Sequence, residues 1–243
     1  MAKLTVSQDQ NGQRLDLFLS MQLPRYSRTA VRKLLDQGKV RLNGEVEYRP
    51  NYKVNSAEVF EIEELSELSR KQLPAYDFPL EIVYEDPDLL IVNKPSGMKV
   101  HPSGANDHKT LVNAAYHYLG DKAGEYGVNL INRIDRGTSG LVAMALSPQG
   151  AWHYAREFAQ GNVTKEYLAV VSKMWLSKNG TEKVRVSNFI RYDQATKKQE
   201  VVQTRGEFSE TEFEISDIEF AWENGEEFDA SDYVALMARP KTG

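Results

Sequence analysis

Apolar positions in the first sixty residues recur first at helical and then at strand spacing. In "RLDLFLSMQL", residues 14–23, Leu15, Phe18, Leu19 and Leu23 fall on one helical face, and Pro24 predicts the stop. Ser27 is placed to N-cap a second helix over "RTAVRKLLDQ", with Val31, Leu34 and Leu35 inward and Gly38 at its end. "KVRL", "EVEY" and "AEVFEIE" then read as strands, with Asn43-Gly44 as a tight hairpin turn. These elements predict a compact unit of two helices and a few strands ending near Glu63. Residues 64–79 are polar, carry two prolines and show no period, which predicts a linker.

From residue 80 onward, "LEIVYE" and "LLIVNK" read as strands joined by the turn "DPD". "TLVNAAYHYL" predicts a helix capped near Thr110. "NLINRI" and "SGLVAMALS" predict strands flanking a loop, and "PQGAWHYAREFAQG" a helix with Pro at its start and Gly at its stop. "TKEYLAVVSK" predicts a strand. Tyr116, Tyr118, Trp152 and Phe158, at helical spacings, are expected in the core. "EFSETEFEISDIEF" is expected to be a strand pair followed by an acidic loop. Strands outnumber helices and do not alternate with them, so the fold class is α+β with a mixed, largely antiparallel sheet rather than a doubly wound one. No internal repeat is present.

The length of 243 residues accommodates one large domain, or a small one followed by a medium one. The chain has no cysteine, which excludes disulfides and thiolate metal sites. It has no run long enough to span a bilayer and no apolar stretch at its start, so a cytoplasmic protein without membrane contact is expected. The net charge of -5 argues at first against a polyanionic partner. Its distribution alters that. Residues 206–232 hold eleven Asp or Glu and no Lys or Arg, which leaves the remainder at 30 minus 24, or +6.

Some of that positive charge gathers in the first unit. Arg28 and Arg32 lie four apart on one helix face, with Lys33, Lys39 and Arg41 close by and Arg14 and Arg25 able to add to it. Such a face suits phosphate contacts; it is also what a solvated helix surface looks like. The order helix–helix–strand, the "SR" opening the second helix and the "GKVRLNG" hairpin resemble the S4 RNA-binding domain over residues 13–63. The resemblance implies that Arg14, Ser27, Arg28, Arg32 and Lys33 face structured RNA.

The second stretch with chemical content is "NRIDRGTSG", residues 132–140. Asp135 sits in a strand–loop–strand connection between Arg133 and Arg136, which would favour its charged form. An ionised Asp there can act as nucleophile or general base, or it can cap a turn by bonding the amides of Gly137 or Thr138. Metal ligation is a poorer reading, because no His or second carboxylate lies close in sequence. For the same lack of a paired carboxylate, a glycosidase reading is weak.

Three ordered segments resemble the RluA family of pseudouridine synthases: "LLIVNKPSGMKVHPSG", "NRIDRGTSG" and "VTKEYLAVV". An S4 domain ahead of a catalytic domain over 80–243 is also a familiar arrangement in that family. The resemblance implies that Asp135 is the catalytic aspartate, attacking a uridine whose uracil is freed at N1 and rejoined through C5. It implies that Arg133 helps hold the site of the flipped nucleotide open, and that the ring of Tyr167 packs on the base. No metal or other cofactor is implied. The implied partner is RNA, most naturally large-subunit ribosomal RNA, with ribosome assembly intermediates as further partners and a monomer as the working form. Lys94, Pro95 and Gly97 are expected to shape a turn, and His101 to be a surface or packing residue, with contact to RNA as its alternative.

Three departures from the family pattern stand out. Asn132 replaces the signature's His, and Ile134 its Leu; both are expected to have small effects. In the family the Thr-Gly seen here at 242–243 is followed by Arg-x-His-Gln-Ile-Arg, whose arginine pairs with the aspartate. On this reading the catalytic domain is incomplete, and the segment alone is expected to have little activity. An RNA-binding assembly factor with an inactive synthase-like domain is therefore the alternative.

Overall fold

The computed structural model describes all residues except 24–25, 64–72, 105, 124–126, 176–182, 219–231 and 243. The chain forms two compact units, residues 1–156 and 157–243.

The first unit opens with β1 (Ala2–Thr5), α1 (Leu15–Gln22), α2 (Arg28–Asp36), β2 (Val40–Leu42), β3 (Glu45–Val46) and β4 (Val59–Ile62). The strands form an antiparallel sheet in the order β1-β4-β2-β3. Both helices bury the faces their periodicity predicts: Phe18, Leu19, Leu34 and Leu35 have no exposed surface and pack with Phe60 and Ile62. The Ser27 hydroxyl accepts a hydrogen bond from Ala30 N at 3.1 Å, the N-cap expected of it. Asn43 and Gly44 have φ of 51° and 89°, as a type I′ hairpin turn requires. The helix stop expected at Pro24 and the cation Arg25 lie outside the described residues, as do 64–72 of the expected linker and 219–231 of the acidic stretch.

β1 has too few residues to show a period. Its strand character comes from pairing with β4, Leu4 opposite Phe60. The strand expected over "EVEY" is reduced to two residues, because the Glu47 carboxylate accepts from Arg49 N at 2.9 Å and turns the chain away from the ladder.

The same unit continues with β5 (Glu81–Glu85), β6 (Leu89–Lys94), α3 (Leu111–Leu119), β7 (Asn129–Leu130) and β8 (Gly140–Ala145); α4 (Pro148–Ala159) follows, its last three residues belonging to the second unit. This second sheet is antiparallel, in the order β5-β6-β8-β7. Leu111 and Ala115 of α3 pack on Leu90, Val92, Val142 and Met144 from the sheet. In the turn "DPD", Asp86 Oδ1 accepts from Asp88 N at 2.8 Å and Leu89 N at 2.7 Å. Part of the expected linker is stitched to α3: Asn113 Nδ2 donates to Pro74 O at 2.7 Å and Tyr76 N to Asn113 O at 3.1 Å.

Two expectations are corrected here. The strand expected over 129–134 stops at Leu130. From Asn132 a side chain replaces the main chain, with Ala143 N donating to its Oδ1 at 2.7 Å and its Nδ2 donating to Leu141 O at 3.2 Å. The aromatics of α3 and α4 are not part of the sealed core. Tyr118 is exposed and donates to Glu85 at 2.6 Å, while Tyr116, Trp152 and Phe158 are half-buried. The two phenols of α3 meet polar partners at the rim of the core, Tyr118 at Glu85 and Tyr116 accepting from Val128 N at 3.3 Å.

The second unit holds β9 (Tyr167–Ser172), β10 (Lys183–Asp193), β11 (Lys198–Val202), β12 (Glu207–Ile215) and β13 (Tyr233–Pro240), ordered β11-β10-β12-β13-β9. β12 is one continuous strand of nine residues, not the expected pair, because it finds β10 along one edge and β13 along the other. Among the described residues all ladders between strands are antiparallel, and no helix is long and apolar enough to cross a membrane.

Candidate functional site

Asp135 lies on the loop between β7 and β8, and its side chain is exposed. The turn around it is closed by the main chain, with Thr138 N donating to Asp135 O at 3.2 Å. Among the described residues the carboxylate itself accepts no hydrogen bond, so it is not the cap of its own turn.

The loop is held from the opposite side by the turn after β6. Gly97, at φ of +85°, allows its amide to reach Arg136 O at 2.8 Å while its carbonyl accepts from Arg136 Nε at 2.9 Å. Ser96 Oγ donates to Gly137 O at 2.7 Å. Lys94 has no exposed surface, and its ammonium donates to Pro95 O at 2.9 Å, Met98 O at 2.8 Å and Arg136 O at 3.3 Å. Burial pulls the Lys94 pKa below its ordinary range, and the nearby Asp135 carboxylate pulls it back up. Lys94 is thus a buried cation that ties the two turns together beneath Asp135.

The third wall is the segment after β6, anchored to the start of α3 by Leu111 N to Lys99 O at 2.9 Å and Val112 N to Val100 O at 3.0 Å. Asp107 gathers it, accepting from Lys99 Nζ at 2.8 Å, Ser103 Oγ at 3.0 Å and Ser103 N at 3.2 Å. The Lys99 ammonium and the Ser103 donors lower the Asp107 pKa to about 2. Between this wall and the Asp135 loop lies a cleft of ≈ 490 Å³, with Lys99, His101 and Ser103 on one side and Arg133, Asp135 and Arg136 on the other. An accessible carboxylate among three cations suits attack on an anionic substrate. Among the described residues, no group of three or more His, Asp or Glu is placed to hold a metal ion.

The α1–α2 face carries a second cluster. Asp16 has no exposed surface. Arg14 Nε reaches its Oδ1 at 3.0 Å; Arg28 Nη2 and Arg32 Nη2 reach its Oδ2 at 3.0 and 3.2 Å. Lys33, one residue on, is exposed.

Residues 88–243, which span both sides of the cleft, match the model of a family described as RNA pseudouridylate synthase. The chain belongs to this family. Residues 13–60 match the S4 domain. Among similar proteins, "Ribosomal large subunit pseudouridine synthase D" of Vibrio parahaemolyticus is 35% identical over 167 residues, 68% of this chain and 51% of that protein. The protein of the same name from Escherichia coli K12 is 36% identical over 167 residues, with the same coverage of 68% and 51%. The chain therefore spans about half the length of the curated relatives it matches. In fold it resembles the solved human RNA pseudouridylate synthase domain containing 1, with a TM-score of 0.52 at 22% identity, covering 71% of this chain and 63% of that one.

For a member of this family, sequence reasoning singled out Asp135 and Arg133, and both line the cleft. Tyr167 opens β9 in the other unit, half-buried and opposite Ala238. His101, read from sequence as a surface or packing residue, is on the cleft wall. Lys94, read as part of a turn, is a buried tie. Asp16 was not singled out at all. The available signal was an acid set between Leu15 and Leu17 in an apolar helix, two residues from Arg14; its burial came only with the tertiary structure.

Proposed function

We propose that the protein isomerises specific uridines of large-subunit ribosomal RNA to pseudouridine, with Asp135 as the attacking carboxylate. The observation that supports this reading best is Asp135 itself: exposed, free of turn-capping duty, and walled by cations in the region that matches the family. Uridine and pseudouridine are isomers, so no net oxidant, reductant or group donor is required. The bond between N1 of the uracil and C1′ of the ribose breaks, the base turns, C5 bonds to C1′, and the proton on C5 is released while N1 gains one. Asp135 assists by adding to the sugar or the base, or by promoting elimination. Arg133 occupies space near the extruded nucleotide, and Tyr167 offers its ring to the base that has lost its stack. Lys99, Arg133 and Arg136 receive backbone phosphates. Arg14, Ser27, Arg28, Arg32 and Lys33 form the RNA-facing side of the S4 domain, working without a cofactor and as a monomer.

The test is pseudouridine mapping in ribosomal RNA from cells that contain the protein, lack it, or carry Asp135→Asn. Loss of the same pseudouridine in the last two, with RNA binding kept by the variant, is the expected result. An unchanged map in cells lacking the protein sinks the enzymatic reading and leaves an RNA-binding assembly factor.

A further inference from the structure

Three guanidiniums meet at Asp16 from separate places in the chain. Arg14 precedes α1, Arg28 opens α2, and Arg32 follows one turn later. Besides the three closest contacts, Arg14 Nη2, Arg28 Nε and Arg32 Nε reach Asp16 Oδ2 at 3.2, 3.1 and 3.3 Å. The carboxylate is sealed off, while the arginine side chains stay 38%, 49% and 51% exposed.

That arrangement exceeds what burial of one acid demands. A single forked arginine would satisfy it. Burial pushes the Asp16 pKa up, and the hydrogen bonds from Arg14, Arg28 and Arg32 outweigh it and hold the group below the usual carboxylate range. The cluster keeps a net charge of three minus one, or +2, and each guanidinium has five N–H donors, not all of which face Asp16. Without an anion at the centre, three like charges at this spacing would repel and splay.

We infer that Asp16 is a positioning residue for RNA: it holds Arg14, Arg28 and Arg32 in a fixed fan whose outward donors bind phosphodiester oxygens. The inference rests on the RNA-facing role proposed for this surface. It makes a counterintuitive claim, because an acidic residue here strengthens the grip on a polyanion. Charge alone gives the opposite expectation, since neutralising Asp16 adds a positive charge to the face. Pre-organisation reverses the sign because the arginine rotamers are ordered before RNA arrives. It also separates arginine from lysine, which carries the same charge without the fork.

The test uses the full chain and a labelled RNA stem–loop of arbitrary sequence, titrated at several salt concentrations. Asp16→Asn is expected to weaken binding about tenfold despite its extra positive charge, and to lower the slope of log K against log salt by about one. Reduced stability alone would lower the active fraction and leave the slope unchanged. Arg28→Lys and Arg32→Lys, which keep the charge, are each expected to weaken binding about threefold, and to add little in an Asp16→Asn background. If Asp16→Asn does not fold, the two lysine variants decide. A folded Asp16→Asn chain that binds as tightly as the parent or tighter overturns the inference, as do lysine variants that both bind like the parent. The triple variant Arg14→Ala/Arg28→Ala/Arg32→Ala separates the levels. If the parent binds no better than this triple, the RNA-facing role fails and takes the inference with it. If the parent binds better but Asp16→Asn matches it, only the inference fails.

Discussion

Lys94 and Asp107 show how single residues build the Asp135 cleft without lining its chemistry. The Lys94 ammonium bridges carbonyls at 95, 98 and 136. Lys94→Met keeps the volume and removes the donor, leaving buried carbonyls short of a partner. It should destabilise the fold by about 2 kcal/mol, read as a lower urea midpoint at unchanged slope. Asp107 has a folded pKa of about 2 against an ordinary 3.8. A depressed carboxylate stabilises the folded state above its unfolded pKa and loses that contribution as pH falls through the folded one. The tie from Asp107 to Lys99 and Ser103 should therefore be intact at neutral pH and weaken only between about 3.8 and about 2. Carboxyl-carbon NMR titration of Asp107 checks this; a midpoint at the ordinary value would show that the tie is not formed in solution.

At the scale of elements, the decisive feature is how closely neighbouring pieces approach. Ser147 caps α4, its hydroxyl accepting from Gly150 N at 3.0 Å and also contacting the Asp88 carboxylate. Gly150 then lies so near the β5–β6 turn that a Cβ there would stand 2.5 Å from Asp88 O. Gly150→Ala should cost about 1–3 kcal/mol through forced separation of helix and turn, measurable by thermal or urea unfolding. Helix faces and turn residues were legible in the sequence, because apolar period, the Ser27 cap and Asn43-Gly44 all act within a few residues. The length of β7 was not, since the Asn132 side chain replaces a main-chain ladder only once β8 is alongside. β12 was misjudged for a related reason: a strand's length depends on the partners at its two edges.

At the scale of the whole molecule, charge is unevenly placed. The total is -5, yet outside 206–232 it is +6, and the Arg14, Arg28, Arg32 cluster and the Asp135 cleft both present cations. RNA binding by the full chain should therefore tighten as salt falls from about 200 to about 50 mM, the range over which phosphate contacts change affinity steeply. A molecule governed by its total charge would instead be repelled more strongly at low salt, and filter binding distinguishes the two. By itself the sequence determined the helix faces, the hairpin turn, the α+β class, and the loop that carries Asp135 and Arg133, because those signals are local in the chain. Only the tertiary structure decided that Lys94 lies beneath a loop some forty residues away, that His101 and Asp135 line one cleft, and that Asp16 gathers arginines from 12 and 16 residues further on. Those groupings arise when distant segments pack, and a buried charge finds its partners only after the core beneath it has closed.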